Sequence, residues 1–306
     1  MKKVRMLAAV LAVMAGQAEA RVVEKLAVLK PGAVVLMQGD SITEGGRWPG
    51  DDFNHIMGQD YAYILAGEIG LTYPERNLSF INRAVSGNTA TDLAARWQAD
   101  TIDLHPDVLS IMVGVNDTFY GKGETLETYE AVYDKLLFET IKAFPNIKIV
   151  LGEPFVMPVK SYADDYAAKR AELEKRQAVV KRLGAKYHLP VVLYQDAFDA
   201  ALSRAPANVW SWDGVHPTYA GHALMAETWL KTVDAFWNVF PPASIGTATM
   251  ASDGTITLQL WSQEENGTIA EGVLSYRLDD PQYKYIRDHL GGLKRGESKP
   301  IPPFTN

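Results

Sequence analysis

The sequence predicts an α/β fold: a three-layer α/β/α sandwich on a mostly parallel five-stranded sheet, followed by a small C-terminal β-rich appendage. Three observations lead there. Short β-rich runs alternate with helical stretches from residue 33 to residue 237. The runs are almost continuously apolar, as strands covered on both faces are. After Pro241-Pro242 the pattern changes to alternating polar and apolar positions, the mark of antiparallel strands with one solvated face.

The elements follow in order. AVVLM at 33–37 predicts the first strand, and DYAYILAGEI at 60–69 the first long helix. FINRAV at 80–85 is the second strand, and TATDLAARWQADTI at 89–102 the helix behind it. VLSIMVGV at 108–115 and ETYEAVYDKLLFETIKAF at 127–144 repeat the unit. KIVLGEPF at 148–155 and the charged DDYAAKRAELEKRQAVVKRLGAKY at 164–187 repeat it again. PVVLY at 190–194 is the fifth strand, and GHALMAETWLKTVDAFW at 221–237 closes the series. Each helical stretch sets apolar residues at helix spacing among Ala, Leu, Glu and Lys. In the tail, TATM, TITLQLWS and GVLSYRL predict antiparallel strands with a hairpin turn at Asp253-Gly254, and the Pro-rich end LKRGESKPIPPFTN predicts extended chain. The tail is small for an independent domain, so the expectation is an appendage, residues 241–306, packed on a main domain of residues 21–240.

Composition narrows the function. A chain of 306 residues with a net charge of −7 lacks the basic surface that binds a phosphate backbone, which argues against a nucleic-acid partner. There is no cysteine, so disulfides, thiol nucleophiles and cysteine metal sites are excluded. MKKVRMLAAVLAVMAGQAEA opens with Lys2, Lys3 and Arg5, continues apolar, and ends in an A-x-A pattern at Ala18-Glu19-Ala20. Residues 1–20 therefore predict a cleaved export signal and a secreted or periplasmic protein. No later segment is apolar enough to span a bilayer, so no stable membrane insertion is expected after cleavage.

Ligands in such sheets gather beyond the carboxyl ends of the strands, and Ser41, Gly87 and Asn116 each fall just past one. GDSITEGGRW at 39–48 follows the first strand, where Ser41 reads either as a nucleophile or as a turn serine. Gly87, in SGNT, offers a backbone N–H unobstructed by a Cβ, or is a plain loop glycine. In GVND at 114–117, Asn116 can donate to an oxyanion and Asp117 can satisfy backbone donors of its own turn; an Asx-turn is the alternative. DGVHP at 213–217 is more specific. Asp213 can accept the Nδ1–H of His216 and fix its tautomer, and Pro217 biases His216 away from helix and starts the helix behind it.

Asp52 and His55 repeat the Asp-x-x-His spacing, so spacing alone does not choose between the pairs. Asp213 and His216 are favoured because a Pro and a long helix brace their loop, whereas Asp52 and His55 sit in what reads as an insertion. His105, His188, His222 and His289 lack comparable settings and read as structural or solvated.

GDSI at 39–42, Gly87, GVND at 114–117 and DGVHP at 213–217 resemble, in the same order, the four sequence blocks of the SGNH (GDSL-type) esterase and lipase family. The resemblance covers roughly residues 33–238 and implies the flavodoxin-like form of the sandwich. Ile42 stands where the family has Leu, an apolar exchange. The resemblance implies a serine hydrolase acting on carboxylic esters, with Ser41 as nucleophile, His216 as base and Asp213 as its orienting acid. It implies an oxyanion hole made of the amides of Ser41 and Gly87 and the side chain of Asn116. It calls for no organic cofactor and no metal, and no H-E-x-x-H or clustered ligand set is present.

For the substrate, Trp48, Tyr120, Trp210 and Trp212 lie close to the four blocks and either stack sugar rings or pack as core and rim. GDSITEGGRW and NRAVSGNTATDLAARW resemble a bacterial branch linked to carbohydrate deacetylation, which implies an acetylated glycan or a small acyl ester as partner. Lysophospholipid hydrolysis is the rival reaction, and a non-catalytic carbohydrate-binding protein the rival from outside catalysis. An α/β-hydrolase is disfavoured because no G-x-S-x-G elbow occurs. Oligomeric state and the role of residues 245–306 stay open.

Overall fold

A computed structural model describes residues 26, 28–50, 52–120, 124–237, 246–263 and 269–301. The predicted export signal and the 240/241 domain boundary lie outside the described residues. The described residues form two compact units that divide between Trp237 and Gly246.

In the first unit, β1 (Val34–Gly39) leads into the short α1 (Ser41–Glu44) and then α2 (Tyr61–Thr72). β2 (Ser79–Asn82), α3 (Ala90–Asp100), β3 (Val108–Met112), α4 (Val115–Phe119) and α5 (Leu126–Ala143) follow. β4 (Lys148–Gly152), α6 (Tyr166–Tyr187), β5 (Val191–Val192), α7 (Tyr194–Ala201), α8 (Ala207–Trp210) and α9 (Tyr219–Trp237) complete it. The five strands are all parallel in the order β2-β1-β3-β4-β5, the flavodoxin-like order. Leu36 of β1 lies level with Ile81 of β2 and Leu109 of β3.

The two-residue period of a strand splits the core into two layers. Val35 and Met37 point to one face and pack with Tyr61, Leu65 and Ile69 of α2 and with Trp229 and Val233 of α9. Leu36, between them, points to the other and joins Leu93 and Trp97 of α3, Leu136 and Leu137 of α5, and Val179 and Val180 of α6. This is why the strands read as unbroken apolar runs. The helix starts are fixed by side chains: Asp60 accepts the N–H groups of Ala62 and Tyr63, and Thr89 with Asp92 forms a capping box on α3. Among the described residues no helix is long and apolar enough to cross a membrane.

β2 is shorter than FINRAV. After Asn82 the chain leaves the regular ladder, although the N–H groups of Arg83 and Val85 still reach the carbonyls of Met37 and Gly39. The Asn82 amide accounts for the departure, because its Nδ2 donates to the carbonyls of Thr43 at 2.6 Å and Met57 at 3.0 Å.

The second unit is an antiparallel sheet of order β8-β7-β6-β9, from β6 (Gly246–Met250), β7 (Ile256–Gln263), β8 (Ile269–Tyr276) and β9 (Ser298–Pro300). The expected turn is present: Gly254 holds φ +89° and Asp253 Oδ1 accepts the Thr255 N–H. The extended Pro-rich end supplies β9, whose partner is β6. A helix α10 (Tyr283–His289), not expected from the sequence, brings Tyr283 and Ile286 onto Ala248, Ile256, Leu258 and Ile301, so this unit has an apolar core of its own.

Trp229 is the largest side chain fully enclosed in the first unit, and its Nε1–H donates to Ser110 Oγ of β3 at 3.1 Å. Trp229→Ala is expected to lower unfolding stability by ~3–5 kcal/mol, and Trp229→Phe by about 1–3 kcal/mol because it keeps a ring but strands the hydroxyl. Chemical denaturation of the full chain, followed by near-UV circular dichroism, measures both.

Candidate active site

The serine is positioned by a tight strand-to-helix turn. A side chain at Gly39 would place its Cβ 2.3 Å from the Met112 carbonyl oxygen, so only glycine lets β1 run this close to β3. Asp40 follows in extended conformation and accepts the Ile42 N–H on Oδ1, which caps α1 and makes Ser41 its first residue. Ile42 and Thr43 are buried behind it. Burial pushes the Asp40 carboxyl up to about 6, against the lowering effect of the Ile42 N–H and of His216.

The histidine stands on a loop closed by its own hydrogen bonds. Ser211 and Pro217 pair as an isolated bridge, the Trp212 N–H donates to the His216 carbonyl, and Ser211 Oγ donates to the same oxygen while accepting the Gly214 N–H. Asp213 Oδ1 accepts the N–H groups of Val215 and His216, and Oδ2 lies 2.7 Å from His216 Nδ1. One carboxylate therefore fixes both the backbone and the ring. The opposite ring nitrogen, Nε2, is 2.9 Å from Ser41 Oγ. The sequence expectation that Pro217 starts the following helix is not met, since that helix begins at Tyr219. Pro217 closes the bridge, and Thr218 caps α9 by accepting the Gly221 N–H.

Electrostatics follow from that geometry. The bond to Asp213 raises His216 above the ordinary imidazole value, more than partial burial lowers it. Burial acts to raise Asp213, but its bonds to His216 and to the loop amides outweigh this and hold it below the usual carboxylate range. The pair favours an imidazolium beside a carboxylate, the form a base reaches after taking a proton.

The three predicted donors sit on segments that follow β1, β2 and β3. Gly87 has φ +78°, in the left-handed region that favours glycine, and a Cβ there would meet open space. Among the described residues neither the Gly87 N–H nor the Ser41 N–H has a protein acceptor. The Gly87 loop is tied to the Ser41 turn by the Val85 N–H, which donates to the Gly39 carbonyl. Asn116 is buried, and its Nδ2 donates to the Asn88 carbonyl at 3.0 Å, leaving its second amide hydrogen unassigned. Asp117 does not serve its own turn. Its Oδ1 accepts the Ala90 N–H at the start of α3, and burial together with nearby Glu124 raises its carboxyl.

The other candidates separate cleanly. His55 and Asp52 repeat the bond at 2.6 Å, but both side chains are largely exposed and no serine bonds to that ring among the described residues. His105 and His188 hold left-handed positions at helix ends, and His222 accepts the Tyr61 N–H on Nδ1. Trp210 is core, whereas Trp48, Tyr120 and Trp212 are exposed. The Trp212 ring lies 6.3 Å from that of His216 with Lys160 Nζ over it, and Tyr120 OH is 2.8 Å from Tyr162 OH. Sequence reasoning missed Ser211, which no motif marks, and the capping role of Asp40, which its place directly before a helical serine could have revealed. Among the described residues no three His, Asp or Glu side chains gather as metal ligands.

Residues 38–224 match the model of the GDSL-like lipase/acylhydrolase family. An acetylxylan esterase of Geobacillus stearothermophilus is 32% identical over 217 residues, which is 67% of this chain and 96% of that one. The crystal structure of a protein from Parabacteroides merdae taken to be a GDSL-like lipase superposes with a TM-score of 0.62 at 34% identity, covering 67% of this chain and 96% of that one. A catalytic mutant of the Geobacillus acetylxylan esterase, in which alanine replaces a serine, superposes with a TM-score of 0.59 at 31% identity, covering 67% and 95%. Sheet order, sequence blocks and relatives agree, and the chain belongs to the GDSL-like lipase/acylhydrolase family of serine ester hydrolases.

Proposed function

We propose that the protein is an exported esterase that removes short acyl groups, above all acetyl, from carbohydrate hydroxyls through an acyl-enzyme on Ser41. The observation that carries the reading is the unbroken chain from Asp213 Oδ2 to His216 Nδ1 and from His216 Nε2 to Ser41 Oγ. His216 takes the Ser41 proton as Oγ attacks the ester carbonyl. The amides of Ser41 and Gly87 and the Asn116 side chain donate to the tetrahedral oxyanion, and the imidazolium returns its proton to the leaving alcohol. Water then attacks the acyl carbonyl as it gives a proton to His216, the bond to Ser41 Oγ breaks, and His216 returns the proton to that oxygen as the acid leaves.

Exposed Trp212 and Tyr120 on the rim offer faces for sugar rings, and the resemblance to an acetylxylan esterase supports acetyl as the acyl group. The charged, then apolar, residues 1–20 with their A-x-A end support export to the periplasm or beyond, with the catalytic domain in residues 21–240.

Ser41→Ala is expected to abolish hydrolysis of an aryl acetate and acetate release from acetylated xylan. Fatty-acid release from lysophospholipid without acetate release by the native enzyme would move the substrate to lipids. Asn116→Ala should lower kcat ~10²–10³-fold with little change in KM, as for loss of one oxyanion donor. A rise in KM alone would remove that role. Because His216 must be neutral to act as base and its pKa is raised, kcat/KM should fall on acidification with a midpoint above that of free imidazole. Asp213→Asn removes the main cause of that rise. It should move the midpoint to lower pH while cutting kcat on the order of 10³–10⁴-fold. A pH–rate series on both proteins reads both effects.

A further inference from the structure

A cavity of about 480 Å³ opens beside α1, with Gly46 in its wall two residues past the end of that helix. Its size falls within the ~300–1,000 Å³ of small-ligand clefts. Asn54, His55, Gln59 and His222 supply polar groups, and Tyr63 and Tyr219 supply rings that are 52% and 90% exposed. The wall is tied to the nucleophile's turn, since the Gln59 N–H donates to the Gly45 carbonyl and the Trp48 N–H to the His55 carbonyl.

The two histidines here are held by different partners. The Tyr61 N–H donates to His222 Nδ1 at 3.2 Å, so the neutral ring carries its proton on Nε2. Burial, together with nearby His216, lowers His222 to about 4, and the ring remains a neutral donor at ordinary pH. His55 has its Nδ1 2.6 Å from Asp52 Oδ2, which holds the ring by that edge and leaves Nε2 free of Asp52. The lining includes no Lys or Arg among the described residues, and the carboxylates that touch it, Asp52 on His55 and Glu44 on the Gly46 N–H, would repel a phosphate or a carboxylate. The His222 ring as a donor, the Nε2 of His55, two side-chain amides and open aromatic faces match a neutral ring bearing several hydroxyls.

We propose that this cavity is a sugar subsite, holding a non-reacting ring of the same glycan whose acetyl group is presented to Ser41. The inference rests on the carbohydrate reading of the active site and adds where the rest of the chain lies. The test compares native protein with His55→Ala, Tyr219→Ala and the double variant on an acetylated xylo-oligosaccharide and on an aryl acetate. The double variant should lose at least about fivefold in its preference, by kcat/KM, for the oligosaccharide over the aryl acetate, with the loss expressed in KM. In parallel, Ser41→Ala should bind an unacetylated xylo-oligosaccharide more tightly, by isothermal titration, than Ser41→Ala carrying both further changes. Native deacetylation of the oligosaccharide with an unaltered preference and unaltered binding in the variants overturns the subsite alone. Native turnover of the aryl acetate with no acetate released from the oligosaccharide overturns the carbohydrate reading and the subsite with it.

Discussion

Parallel pairing of β1 between β2 and β3 is the constraint on which the site depends. Parallel strands all point their carboxyl ends the same way, so the loops that leave them emerge on one edge. Ser41 leaves β1, Gly87 follows β2 and Asn116 follows β3. Three segments spread over some seventy-five residues thus become neighbours through sheet order, without help from local sequence. The close approach of Gly39 to Met112 shows how little slack the arrangement has.

The fourth segment obeys different physics. The strand order does not place residues 211–217; they form a small closed unit with Ser211, Asp213 and the Ser211–Pro217 bridge supplying most of its bonds. The Asp213 carboxylate accepts three N–H donors, one from the His216 ring and two from the backbone, so the ring is already aimed when the loop is made. What the fold must add is the docking of α9 across the sheet, where Trp229 meets Ser110 and brings the loop to the serine.

These two regimes explain what the sequence disclosed. Apolar runs and helix periodicity are local properties, and the long helices of the first unit lie where they predict, while its strands occupy the predicted runs but β2 and β5 end early, at Asn82 and Val192. Asp213 and His216 are three residues apart, so their pairing could be read from spacing, and the same spacing produced an exposed likeness at Asp52 and His55. Long-range effects were not legible. Trp210 reads like the other rim aromatics, and only tertiary packing buries it. Asp117 reads as a turn residue, yet its acceptor serves a helix 27 residues upstream. Pro217 follows its residue preference into a bridge because Ser211 happens to be opposite. α10 carries too few apolar positions over seven residues to announce itself before the sheet beneath it is known.

The Ser41–His216 contact joins residues 175 positions apart. No nascent chain that stops short of residue 216 can hold both halves of the hydroxyl–imidazole pair, and the docking helix that seats the imidazole ends only at Trp237. The pair proposed to carry catalysis is therefore completed only late in synthesis, after most of the sheet that frames it has been made.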